Sequence, residues 1–549
     1  MDREAAKGTK PGAWARYELL STVERKGPPV SAMVLTVGPA EKAGGKTYYW
    51  WDVEGEKESG ERYAIRLLSE RVTMVDEDVP AAVKRYIFRG GDDQPIEYVD
   101  ARNGSALLPK FEFTTGFLPQ PMPRARLESG FAVAGMYLGH VLSLAETGDN
   151  RDWQGWPDPT VLRLNPDEIH HMYGLARDTE GRYITEGDYT YVPLTREEFD
   201  ELIDLGMNSF ISNNACEQWV FRKPVFFFQR HGEHQKLDYP ELFYRSNFRG
   251  AVEFIDEPEI HMLADKEDLA RIRRPEEGAY LLSKRVEELW TRPSPGQWRR
   301  PLLREELQAK GINLGTLALD DADHPIWVTM IETSFYQLAG GAAGVVQEGR
   351  YQLKEYEGWL GKFFGREPDL TVREMLLLTF AWLRGAARAF DKSWGISIYG
   401  QCDPEIAPQA ITLAYDMGAR YIWFWSYDHQ HHLPHFMKLK LLRHLKEHET
   451  KHPRPPLDRL LRAAKTAIVL PYGYGYQMSF EQMWESPNLK MDTMNAAGVT
   501  HRAVVAAALK AAIECARSGE DFDFTIDAGQ PLTGYERIVR IGLDARASD

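Results

Sequence analysis

From about residue 130 onward, short apolar runs alternate with amphipathic stretches, and this rhythm constrains the fold more than any other feature of the chain. The segment "TREEFDELIDLGMNSFIS" shows one complete unit. Thr195 is placed to cap a helix, acids fill the first turn, the helix ends near Gly206 and a strand follows at once. The unit recurs in "ITLAYDMGARYIWFWSYD", where Gly418 ends the helix. Candidate strands are "FAVAGMYL" (131–138), "NSFIS" (208–212), "VFFFQ" (225–229), "AVEFIDE" (251–257), "IWVTMIE" (326–332), "GVVQE" (344–348), "GISIY" (395–399) and "YIWFWSY" (421–427). Eight such strands close a (β/α)8 TIM barrel, the α/β fold expected here. "INLGTLAL" (312–319) is a competing strand, and a doubly wound sheet is the rival architecture.

The flanks read differently. Residues 1–110 carry short β-branched and aromatic runs ("SAMVLTV", "KTYYWWDV", "VKRYIFRG") split by Gly, Pro and Asp, which predicts a β-rich, sandwich-like accessory domain. The barrel is assigned to 111–450. The proline-punctuated "KHPRPPLDR" (451–459) separates it from a small α/β domain over 460–549. In that last domain "GYGYQ" lacks both the dinucleotide and the P-loop pattern and reads as a turn.

The chain has 549 residues, 43% hydrophobic and 27% charged, with 81 acidic against 66 basic side chains and a net charge of −15. That balance argues against nucleic acid or an anionic membrane as partner, although a basic cleft for an anionic sugar stays open. No window approaches the roughly 18 apolar residues of a membrane span. Cys216, Cys402 and Cys515 are too few and too scattered for a disulfide framework. No signal peptide is visible, so the reading is cytoplasmic as the chain stands, and secreted or periplasmic if one was removed. Oligomerisation through the accessory domains is left open.

Several strands finish on polar groups: Asn213 and Asn214, Arg230 and His231, Asp256 and Glu257, then Glu332, Glu348 and Tyr399. The last offers Trp423, Trp425, Asp428 and, one residue on, His429. A carboxylate closing an apolar run is costly to bury unpaired. Two carboxyls across a cleft flanked by Trp and Tyr suit glycoside hydrolysis, one protonated to serve the leaving oxygen and one ionised. The expected catalytic groups are therefore Glu257, Glu348 and Glu332, with the other residues binding sugar. Structural alternatives stand beside each. Glu257 could cap a helix, Glu348 could pair with Arg350, Glu332 could orient a partner, and one of the same-face pair Trp423 and Trp425 could be core. "DHQHHLPH" (428–435) lacks the fixed helical spacing of a zinc site, and neither a metal nor a cofactor is expected.

"FIDEP" resembles the strand-four segment of the large clan of retaining (β/α)8 glycoside hydrolases that includes β-galactosidases, cellulases and mannanases. The resemblance puts Glu257 on the acid/base and Asp256 where an Asn usually contacts the sugar. "YIWFWSY" is similar to the strand-eight segment whose Trp floors a subsite. The clan keeps its nucleophile at the end of strand seven, whereas here that strand is "GISIYGQCDPE", with Glu405 six residues beyond Tyr399. Glu348, on strand six, is the better-placed second carboxyl. The expectation is a glycosidase acting on a β-linked oligo- or polysaccharide. The alternatives are a non-catalytic carbohydrate-binding or scaffold protein on a degenerate barrel, and a polysaccharide lyase.

Overall fold

A computed structural model describes residues 11–21, 30–57, 59–70, 83–107, 136–137, 140–171, 176–183, 189–212, 217–230, 245–252, 267, 271–275, 277–278, 280–281, 284, 326–328, 332–339, 342, 344–426, 431–475 and 491–548. The fold is mixed α/β, with several sheets. It divides into two compact units, residues 1–166, 212–253 and 293–323 in the first and the remainder in the second.

The first unit is built on a nine-stranded sheet. Six of its strands come from the first 100 residues, and the sheet ends on Thr160–Leu164, parallel to Ile96–Asp100. Strands Val30–Ala43 and Lys46–Lys57 are joined by Gly44 and Gly45, at φ 59° and 79°. Two left-handed residues in succession give the twist a tight hairpin needs, and glycine takes them without a Cβ penalty. Met136–Tyr137 pairs antiparallel with His140–Gly148 in this sheet. The expected first barrel strand, 131–138, is thereby corrected: its described residues belong to the antiparallel sheet.

The parallel sheet has eight strands. In the second unit the order is Ser209–Ser212, Glu168–His171, Tyr421–Phe424, Ser393–Ile398, Gly344–Gln347 and Ile326–Val328. Phe226–Arg230 and Phe248–Val252, in the first unit, pair with each other in parallel. The first parallel strand is thus "EIHH", a segment with two imidazoles and a carboxylate that does not look like a core strand. Its burial depends on distant partners. The Asn208 amide accepts from Ile169 N at 2.6 Å and donates to the Asp167 carbonyl, stitching the first strand to the second. Among the described residues the sheet is open, and no closed barrel is formed.

The local signals behave as their chemistry dictates. Thr195 and Glu198 form a reciprocal capping box on helix Arg196–Asp204, and Gly418 ends Ala407–Met417 at φ 93°. Helix Val372–Phe390 opens with a second box, Thr371 and Glu374, and is buried from Met375 to Ala387 except at half-buried Leu377. It is apolar on nearly every side because it packs on Gly344–Gln347 and Ser393–Ile398 and also on Phe522–Asp527. That last strand sits in a four-stranded C-terminal sheet with helix His501–Ser518, the small α/β arrangement read from sequence.

Candidate active site at the strand ends

Alternate residues of a strand share a face, and the register of the parallel sheet stacks them in rows. His170 lies opposite Trp423, and Trp423 opposite Ser397. Val346 lies opposite Gly395, so Glu348, two residues further, comes level with Ser397. Backbone bonds continue past the strand ends, from Tyr399 N to Gly349 O (3.1 Å) and from Trp425 N to Ile398 O (3.1 Å). Glu348, Tyr399 and Trp425 therefore emerge from three adjacent strands at their C-terminal ends.

Their side chains meet. The Glu348 carboxylate, only 8% exposed, pairs with Arg350 Nη1 at 2.6 Å. The Arg350 guanidinium lies 4.9 Å from the centre of the Tyr399 ring, a cation–π contact. Tyr399 leans on Trp425, with centroids 4.8 Å apart and planes at 33°, and on His431 at 5.5 Å. The result is a held carboxylate, a guanidinium and two large rings at one end of a parallel sheet.

Ser397 fixes the backbone on both sides of Glu348. Its hydroxyl donates to Gln347 O (2.8 Å) and accepts from Gly349 N (3.0 Å). A Cβ on Gly349 would stand 1.7 Å from Ser397 O, so that position requires glycine for close approach. One row deeper, Trp423 is wholly buried and stacks on His170 at 4.8 Å. The His170 ring in turn meets Glu168 Oε2 at 2.8 Å, and Arg420 lies 3.4 Å from the other carboxylate oxygen.

Glu332 is buried where helix Thr333–Ala339 begins. Its carboxylate accepts from Gly473 N at 3.0 Å and from Gly475 N, tying the "PYGYG" turn down. This arrangement holds a backbone turn. Glu405 is exposed, beyond the mouth of its strand. Arg230 ends strand Phe226–Arg230, opposite Val252. Asn213, Asn214, His231, Asp256, Glu257, Asp428 and His429 lie outside the described residues.

The histidine run has a second role. His432 Nε2 donates to Asp178 Oδ1 at 2.9 Å, and the same oxygen accepts from His435 N at 2.7 Å. Gly181 N adds a bond to Oδ2 at 3.1 Å. These bonds hold the Asp178 carboxyl well below the usual range against the opposing effect of burial. Burial lowers the basicity of His432 and takes His435 down to about 4, so both imidazoles are neutral at physiological pH. Among the described residues no group of His, Cys, Asp and Glu is arranged to hold a metal ion.

Sequence reasoning missed Ser397, Glu168, His170 and Asp178. Ser397 and Asp178 look like ordinary polar residues in their own segments; strand register reveals the first, and the bonds from His432 and His435 reveal the second. The "HH" at 170–171 was the available signal, since paired imidazoles in an otherwise short segment are unusual in a surface loop. Comparison with protein-family models and with curated proteins returns no match.

Proposed function

We propose that this protein is a glycoside hydrolase whose eight parallel strands belong to a (β/α)8 barrel beginning at Glu168–His171. One observation carries the reading: Glu348, held by Arg350, stands beside Tyr399 and Trp425 at the C-terminal ends of neighbouring parallel strands. In barrels of this kind that end is where chemistry is done. The Arg350 pairing favours the ionised form of Glu348, which the second carboxylate of a glycosidase needs to attack the anomeric carbon or to activate water. Trp425 supplies an apolar face for a pyranose. The proton for the leaving oxygen comes, in this reading, from Glu257, assigned by the "FIDEP" resemblance alone.

Glu348→Gln should lower kcat at least ~100-fold on the true substrate while leaving the fold intact. Turnover within threefold of wild type would remove Glu348 from the chemistry. The anomer of the first product, read by NMR before mutarotation, separates nucleophile from base: retention assigns attack by Glu348, inversion assigns activation of water.

The same ion pair favours the runner-up, a saccharide-binding protein without turnover, because a carboxylate neutralised by Arg350 can serve as a fixed hydroxyl acceptor. A glycan panel on which the wild-type chain binds sugar and releases no reducing ends would establish that reading instead.

A further inference from the structure

The nine-stranded sheet carries a groove of 700 Å³ whose lining includes Tyr48, Lys84, Arg85, Glu97, Val161 and Arg163. That volume falls among small-molecule sites, about 300–1,000 Å³. The charges are not balanced within it. Arg85 is held by Glu97 through two bonds of 2.9 and 2.6 Å. Glu70, at the same groove, accepts from Lys46 Nζ at 2.7 Å and from the Tyr48 hydroxyl at 3.3 Å. Both carboxylates are thus committed. Lys84, its ammonium 4.7 Å from the centre of the Tyr48 ring, and exposed Arg163 have no carboxylate partner among the described residues. Two unmatched cations face the groove of a chain whose net charge is −15.

We propose that this groove is a second saccharide site, taking an acidic, uronate-bearing chain. The inference deepens the glycosidase reading, on which it rests, by naming the substrate class. A uronate carboxylate sits against Arg163 and Lys84. Hydroxyls, each both donor and acceptor, match the mixed lining of Arg85 and Glu97. The apolar face of the ring lies on Val161, which is 48% exposed, and on Tyr48. An acidic peptide or a free phosphate fits less well. Neither offers an apolar ring face for Val161 together with a set of hydroxyls for the mixed lining of Arg85, Glu97 and Glu70.

The test uses the full-length chain carrying Glu348→Gln, so that binding is read by calorimetry without hydrolysis. Hexagalacturonate should bind, more weakly as salt rises, and adding Lys84→Ala and Arg163→Ala should raise Kd at least tenfold. Cellohexaose, which lacks the carboxylates, should bind at least tenfold more weakly than the uronate. Absence of uronate binding, a Kd unmoved by the two substitutions, or equal binding of a polyglutamate peptide would each overturn the proposal. Failure of the glycosidase reading shows separately, as a wild-type chain that releases no reducing ends from any glycan of the panel.

Discussion

Lys438 is wholly buried, and its ammonium has no hydrogen-bond partner among the described residues. Burial drives its pKa down to about 7, while Asp178 pulls weakly the other way. In the unfolded chain this lysine titrates near 10.4, so between about pH 7 and 10 the unfolded state holds the extra proton and stability rises with pH. The slope from this one group is at most about 1.4 kcal/mol per pH unit. Lys438→Met should therefore stabilise the protein by about 1–3 kcal/mol near pH 7, as apolar replacements of buried charge do. The gain should fade toward pH 10, and urea titrations at the two values would show it; an equal gain at both would refute the assignment. Ser397→Ala belongs to the same scale. It leaves Gly349 N and Gln347 O short of a partner in a buried place, at a cost of about 1–3 kcal/mol. If Glu348 acts in chemistry, kcat should fall in Ser397→Ala more than KM rises.

Helix His435–Lys451 begins after Pro434 and has no side-chain cap of its own. Asp178, from strand Ala176–Asp178, supplies it from 257 residues away by accepting His435 N, and its negative charge also suits the helix N-terminus. Asp178→Ala should cost about 1.5–3 kcal/mol at pH 7, the worth of hydrogen bonds to a charged group. Because the folded-state pKa is depressed, this stability is present above the ordinary carboxylate value of about 4 and is lost as pH falls below it. Wild type and variant should therefore draw together as pH falls from 4 to 2, without meeting in that range. A gap as wide at pH 2.5 as at pH 7 would mean that the charge plays no part. The same elements show what a sequence can and cannot reveal. Strands such as Gly344–Gln347 and Tyr421–Phe424 were legible because each is an apolar run between a helix stop and a polar tip. Glu168–His171 was not, because its charged groups become core only when Asn208 and Arg420 arrive from elsewhere. At the site, Glu348, Tyr399 and Trp425 could be listed from the strand ends. The bracket around Glu348 could not, since Ser397 lies 50 residues from Gln347 in sequence.

At the scale of the molecule, the C-terminal sheet looks separable in sequence, set off by "KHPRPPLDR", yet residues 324–549 fall in one compact unit. The reason lies in helix Val372–Phe390, which has two buried sides. Trp382 stacks on Phe524 with centroids 4.7 Å apart. Arg384, 1% exposed, is held by Asp523 at 2.7 Å and Asp521 at 2.5 Å. At Gly385 a Cβ would come within 1.9 Å of Phe524 O, so helix and strand backbones nearly touch. Glu332 adds its grip on the amides of Gly473 and Gly475. A chain ending at Arg454 would uncover this apolar face and strand both a buried guanidinium and a buried carboxylate. Breaking a buried ion pair from one side alone costs about 3–5 kcal/mol, a large part of an ordinary domain's stability of about 5–15 kcal/mol. The truncated chain should therefore lack the sharp near-ultraviolet circular dichroism of packed aromatics and should aggregate on heating. In the full chain, Asp523→Ala should show the ion-pair part of that loss by itself, as a lower urea midpoint at unchanged slope. A truncated protein that kept its tertiary signal and unfolded cooperatively within a few degrees of the full chain would show that the helix needs no second partner.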